Sequence, residues 1–76
     1  MKEVLQYVAR ALVDDPDRVE VTEVQGERAM ILELRVAPED MGKIIGKRGR
    51  MARALRSVVR AAGTVQGVTA HVEIVE

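Results

Sequence analysis

The residues with the clearest capacity for binding chemistry are cations crowded into one stretch of the chain. Twelve Lys and Arg residues balance twelve Asp and Glu residues, yet no acid occurs from Met41 through Thr64. Seven of the cations fall inside that acid-free stretch: Lys43, Lys47, Arg48, Arg50, Arg53, Arg56 and Arg60. Cations without accompanying carboxylates repel one another unless an external anion neutralises them. The distribution therefore predicts a one-sided surface for a polyanion, with the acidic remainder repelling it elsewhere.

Two glycines flank two of these cations in the sequence Gly46-Lys47-Arg48-Gly49. A glycine backbone can approach a sugar-phosphate chain closely because it carries no Cβ. The N-terminus of a following helix offers free N–H groups and the positive end of its dipole to a phosphate. Ile45, just before the loop, can provide an apolar floor for a base. The pattern predicts a phosphate-binding loop between two helices.

Further arginines continue from this loop at helical spacing. Arg50 and Arg53 lie near the loop, so we expect both to contact the same anion. Arg56 and Arg60 lie about one and two turns farther along. For these two residues, contact with the anion and a merely solvated helix face both stay open.

Apolar periodicity divides the chain into six elements in the order α-β-β-α-α-β. The predicted ranges are a helix over 1–13, strands over 19–24 and 30–36, helices over 38–45 and 50–62, and a strand over 68–75. Each of the later two strands has one clean apolar face. We therefore expect one α+β domain over residues 1–76, a two-layer fold whose three-stranded sheet carries helices on one face.

Several residues have purely structural interpretations at this level. Gly63 is predicted to cap the long helix, and Tyr7 to be a partly buried packing residue. Glu39 and Asp40 are expected to complement a helix dipole, and His71 to be an ordinary surface residue. The apolar face of the long helix is predicted to comprise Met51, Leu55, Val58, Val59 and Ala62.

Composition excludes several function classes. The formal net charge of zero argues weakly against a nucleic-acid binder when it is taken as a total. There is no Phe or Trp and one Tyr, which excludes an aromatic platform for base stacking. There is no Cys, and no nucleophile–base or metal-ligand pattern occurs, so we expect neither an enzyme nor a cofactor. No apolar run is long enough for a membrane span, and no signal peptide precedes the first helix, so we expect a cytoplasmic protein.

The segment Ile44-Ile45-Gly46-Lys47-Arg48-Gly49, preceded by Gly42, resembles the GXXG signature of KH domains. The element order is similar to their prokaryotic type II arrangement, and the resemblance covers essentially the whole chain. A single such domain of this length resembles the KhpA (YlqC) family of small bacterial RNA-binding proteins. The resemblance implies single-stranded RNA held along the loop, with about four nucleotides clamped per domain. It also implies an RNA chaperone or post-transcriptional regulator that forms homodimers, or heterodimers with a larger KH-containing protein.

The chain differs from the usual KH pattern at Ala52, where a bulky aliphatic residue is common. Two consequences stay open for the groove that would hold the bases. Its wall is shallower at this position, or Met51 and Leu55 form the wall instead. A second function class also stays open, in which a KH-like protein-interaction or dimerisation module binds little RNA. Its basic helix would then face an acidic partner protein.

Overall fold

A computed structural model describes residues 1–76, the whole of the sequence, and contains three helices and three strands. The elements are α1 (Lys2–Leu12), β1 (Glu20–Gln25), β2 (Met30–Arg35), α2 (Met41–Ile45), α3 (Arg50–Val65) and β3 (Ala70–Ile74). Short 3₁₀ turns occupy Pro16–Arg18, Pro38–Asp40 and Lys47–Gly49. The predicted order α-β-β-α-α-β is therefore confirmed.

The three strands form one mixed sheet in the order β1-β2-β3. β1 and β2 are antiparallel, with Val21 opposite Leu34. β2 and β3 are parallel, with Leu32 opposite Val72. A parallel pair needs a crossover, and the chain makes it through α2 and α3. The segment with the cationic loop is thus held over the sheet at both ends.

The inward faces of the strands and helices form one apolar core. The strands contribute alternate residues to this core, and the helices contribute residues one or two turns apart. Its members are Leu5, Ala9, Val13, Val19, Val21, Leu32, Leu34, Ile44, Leu55, Val59, Ala70 and Val72. On the opposite side of the sheet, Thr22, Arg35 and His71 are exposed. The prediction of an α+β fold with helices on one face is confirmed, as is the surface position of His71.

Gly63 lies inside α3, so the prediction that it caps this helix was wrong. A Cβ at this position would lie 2.5 Å from the Val68 carbonyl oxygen and 3.1 Å from the Ala70 Cβ. The missing side chain therefore allows α3 to pack directly on the segment that enters β3. The left-handed residue after the helix is Gly67, with φ +74°. Sequence pattern does not distinguish a glycine needed for a cap from one needed for close packing.

The buried face of α3 also differs from the prediction. Its fully buried residues are Ala52, Leu55, Val59 and Gly63. Met51 and Ala62 are half-buried, whereas Val58 is 43% exposed. Val58 lies about 100° around the helix from Val59, so it falls outside the buried stripe.

Tyr7 is 78% exposed, which contradicts the prediction of a partly buried residue. It lies two positions from both Leu5 and Ala9, the fully buried residues of α1. Two helical residues correspond to a rotation of about 200°, so Tyr7 faces away from the core.

Asp40 is 2% exposed and corrects the expectation that it only complements a helix dipole. Its two carboxylate oxygens accept hydrogen bonds from the backbone N–H groups of Asp14 and Asp15, each at 3.1 Å. Lys43 forms an ion pair with the Asp14 carboxylate beside them. These contacts fasten α2 to the segment that follows α1, and they hold the start of the cationic loop in place.

Candidate nucleic-acid interface

The loop between α2 and α3 is closed by hydrogen bonds from its two glycines. The Gly46 N–H donates to the Gly42 carbonyl at 2.8 Å, which completes α2. The Gly49 N–H donates to the Gly46 carbonyl at 3.1 Å. Both glycines have positive φ, +75° at Gly46 and +73° at Gly49. Since residues with a Cβ rarely adopt such angles, the loop conformation requires glycine at both ends.

Gly46 has a second, independent requirement. A Cβ at Gly46 would lie 2.8 Å from both the backbone nitrogen and the Cβ of Met51. At Gly49 the nearest atom to such a Cβ is Arg53 Nη1, at 3.6 Å. Gly46 is therefore fixed by backbone conformation and by close packing, whereas Gly49 is fixed by conformation alone. Met51 was predicted on the apolar face of the long helix, but its close approach to Gly46 was not, because that contact depends on how sharply the chain turns.

Lys47 and Arg48 are both exposed at the tip of this loop. Arg48 has φ +56° and is the one non-glycine residue of the chain with positive φ. No carboxylate pairs with either side chain, since the ion pairs of the structure are Met1–Glu3 and Lys43–Asp14. The two cations predicted to meet a phosphate are therefore unneutralised and open to solvent.

The N-terminus of α3 lies directly behind these cations. Arg50 is the first residue of the helix and is exposed, and the preceding residue, Gly49, provides no side-chain cap. No acidic residue lies in the first turn. The Gly49 and Arg50 N–H groups donate to the Gly46 and Lys47 carbonyls. The positive end of the helix dipole, combined with three nearby cations, still forms an environment that favours an anion.

Arg53 lies beside the loop as well, but one of its donors is already engaged. Its Nη1 donates to the Arg48 carbonyl oxygen at 3.0 Å. A guanidinium has five N–H donors, so this bond leaves others free. The structure thus brings together Gly46, Lys47, Arg48, Gly49, Arg50 and Arg53, which were predicted as site residues.

Ile45 and Ile44 are adjacent in sequence and differ in burial. Ile44 is fully buried in the core, whereas Ile45 is 41% exposed before the loop. Ile45 is therefore an accessible apolar surface, as its predicted contact with a base requires. Ala52 and Leu55 are buried in the core, so Leu55 does not replace the groove wall. Met51, half-buried beside Gly46, stays in a position to do so.

Arg56 and Arg60 are exposed, and neither side chain forms a hydrogen bond or an ion pair with the loop. They share a flank of α3 with Arg53, because positions three and seven residues apart lie within about 60° on a helix. Lys43 differs from the other six cations, because Asp14 neutralises it. That pair joins residues far apart in sequence, which is why the charge pattern alone did not reveal it.

No helix of the structure has both the length and the apolar character that a membrane span requires.

The chain is similar to known proteins over almost its whole length. The family model described as KhpA/KhpB, KH domain matches residues 2–74. The RNA-binding protein KhpA of Clostridium acetobutylicum is 55% identical over 75 residues, which are 99% of this chain and 100% of that protein. The RNA-binding protein KhpA of Aquifex aeolicus is 46% identical over 76 residues, covering 100% of this chain and 96% of the relative.

A solved structure gives an independent comparison of the fold. The crystal structure of an Era variant from Aquifex aeolicus, bound to GDP and aluminium fluoride, superposes with a TM-score of 0.70. The match covers 96% of this chain and 28% of the Era chain, at 16% sequence identity. At this identity the likeness concerns the fold alone.

Proposed function

Since the chain belongs to the KhpA/KhpB family of KH domains, we propose that it is a non-catalytic protein that clamps single-stranded RNA at Gly46–Gly49. Gly46 and Gly49 allow the RNA backbone to approach, and Lys47, Arg48 and Arg50 neutralise its phosphates. Ile45 offers an apolar surface to a base. The observation that carries the proposal is a loop of cations without carboxylate partners at the N-terminus of α3, where no acidic side chain lies in the first turn.

The contacts in this proposal are directed mainly at the RNA backbone. Phosphate contacts position a nucleic acid but do not read its sequence. The chain has no Phe or Trp, and its single Tyr is on α1, so bases cannot be selected by an aromatic platform at the loop. Weak sequence preference suits a cytoplasmic RNA chaperone or post-transcriptional regulator that acts on many transcripts.

The affinity for RNA is expected to fall with salt in proportion to the phosphates neutralised. For two to four contacts, log K should decrease against log salt with a slope of about −1.4 to −3. One small domain should bind at about micromolar Kd. Fluorescence anisotropy with a labelled single-stranded RNA, titrated across a series of KCl concentrations, measures both values.

An oligonucleotide of the same sequence with uncharged methylphosphonate linkages is the control. It should bind far more weakly, because it offers no phosphate charge. Equal binding of the two oligonucleotides, or an affinity independent of salt, would contradict the proposed phosphate contacts.

We also propose that two copies of the chain pair through α3. Four apolar residues on its exposed side are spaced 4, 3 and 4 positions apart, the spacing of a helix–helix seam. They are Ala54, Val58, Ala61 and Val65. Val58 is 43% and Val65 86% exposed. Arg56 lies about 160° around the helix from Val58, so pairing here would leave the basic flank free. A dimer would present two loops, and linked weak sites bind a long RNA more tightly.

The variant Val58→Lys is expected to prevent this pairing, because it places a charge in the apolar seam. Sedimentation equilibrium should then give the 8.4 kDa mass of one chain, against about twice that mass for the parent. Thr22→Lys adds the same charge on the outer face of the sheet, away from α3, and should leave the dimer intact. If the parent is a monomer that associates only with a larger KH-containing protein, the homodimer proposal is wrong and the heterodimer takes its place.

A further inference from the structure

We propose that Arg53 is a positioning residue that holds the cationic loop in its binding conformation, rather than a phosphate ligand. This inference rests on the proposed function, since it concerns how the same loop is prepared for RNA. The juxtaposition that carries it is the Arg53 guanidinium, bonded to the Arg48 carbonyl and lying over Gly49.

Arg48 is the residue of the loop that needs external support. Its backbone has φ +56° and ψ 27°, a left-handed conformation that a side chain with a Cβ disfavours. Glycine relieves this cost at Gly46 and Gly49 but not at Arg48. The hydrogen bonds internal to the turn use the carbonyls of Gly46 and Lys47, and neither fixes the carbonyl of Arg48. The N–H of the peptide between Arg48 and Gly49 donates to the Gly46 carbonyl, so the Arg48 carbonyl is the half of this peptide that has no partner inside the turn.

Arg53 provides that contact from the first turns of α3. Its Nη1 lies 3.0 Å from the Arg48 carbonyl oxygen and 3.6 Å from the position of a Cβ on Gly49. A charged donor makes a stronger hydrogen bond to a carbonyl than a neutral donor does. Because α3 is packed on the sheet through Leu55 and Val59, the bond ties the loop to a rigid element.

The same bond changes the electrostatics of the site. A carbonyl oxygen carries partial negative charge and would repel a phosphate that approached it. When Arg53 donates to the Arg48 carbonyl, its positive charge offsets the partial negative charge of that oxygen. The Lys47 and Arg48 side chains can then bind the anion without repulsion from this carbonyl. Arg53 thereby supports binding without contacting RNA itself.

The variant Arg53→Met tests this assignment, with Arg60→Met as its control. Arg60 lies on the same flank of α3, and its side chain is exposed and has no hydrogen bond to the loop. Both variants lose one positive charge. The hydrogen bond to the Arg48 carbonyl is lost in Arg53→Met alone. In the RNA-free protein, amide exchange at Gly49 should accelerate about threefold or more in Arg53→Met and stay at the parent rate in Arg60→Met.

RNA binding supplies the second measurement. Arg53→Met should weaken RNA binding about three- to tenfold while the slope of log K against log salt stays at the parent value. A slope reduced by about 0.7 would make Arg53 a phosphate ligand and overturn the assignment. Unchanged exchange at Gly49 would overturn it as well. If the parent protein binds no RNA, the proposed function fails, whereas the exchange measurement still tests the loop contact.

Discussion

Replacement of Lys47 and Arg48 together by Asp is expected to abolish RNA binding, with an affinity loss of about a hundredfold or more. The change removes two cations and places two carboxylates at the open N-terminus of α3. Each carboxylate would face the phosphates of the RNA and repel them. A hundredfold loss corresponds to about 2.7 kcal/mol and moves a micromolar Kd to about 0.1 mM. Anisotropy at low salt is sensitive enough to measure the difference.

The fold should survive this double replacement. Both side chains are exposed and neither forms an ion pair, so no buried contact is lost. Asp also tolerates the left-handed conformation of position 48 better than most residues do. Thermal unfolding followed by circular dichroism should therefore give a transition close to that of the parent.

A matched control reverses two cations elsewhere on the surface. Arg10 on α1 and Arg28 in the β1–β2 turn are exposed and unpaired. The variant with Arg10→Asp and Arg28→Asp has the same net charge as the loop variant and should keep most of its affinity. Equal losses in the two variants would show that net charge, not the loop, governs binding. Survival of RNA binding in the loop variant would refute the Gly46–Gly49 site.

The alternative of a protein-interaction module predicts a different set of outcomes. In that case the parent would bind no RNA even at low salt, yet it would still form dimers or bind an acidic protein. The loop variant would then lose the acidic partner instead of RNA.

The replacement Gly46→Ala is expected to destabilise the domain by about 2–4 kcal/mol. Gly46 has φ +75° and ψ 171°, a combination that costs a residue with a Cβ about 1–3 kcal/mol. The new Cβ would also lie 2.8 Å from two atoms of Met51, which forces α3 or the loop to move. A domain of this length has a total free energy of unfolding of about 4–11 kcal/mol. The variant should therefore melt about 10–25 °C below the parent and bind RNA weakly.

Gly42→Ala is the control for this prediction. Gly42 lies in α2, one turn before Gly46, and a Cβ there would meet no atom within 4 Å. Alanine is also the better helix former, so the replacement should be neutral or stabilise the domain by up to about 1 kcal/mol. Urea denaturation of both variants measures the difference. Equal stabilities would contradict the turn geometry described for Gly46.

Much of the architecture could be predicted from the sequence because it depends on local periodicity. Alternation of apolar residues in β2 and β3 defined their inward faces, and helical spacing placed Leu5 and Val59 in the core. The resemblance to the KH family, based on Gly46-Lys47-Arg48-Gly49 and the element order, is confirmed by the family match. The segregation of cations from acids is also a property of the sequence itself. It showed where an anion would be favoured although the net charge is zero.

Only the tertiary structure showed that residues with similar local sequence patterns have different roles. Gly63 was interpreted as a cap but is a packing contact, because β3 passes within reach of its Cα. Asp40 is a buried acceptor and Lys43 is neutralised, because the segment after α1 returns to the start of α2. Arg53 differs from Arg60 because it lies about two turns nearer to the loop, where the left-handed turn at Arg48 directs a carbonyl towards it. Local sequence specifies which face of an element is apolar, whereas the roles of these residues depend on contacts formed only when the turns and the neighbouring elements take up their positions in space.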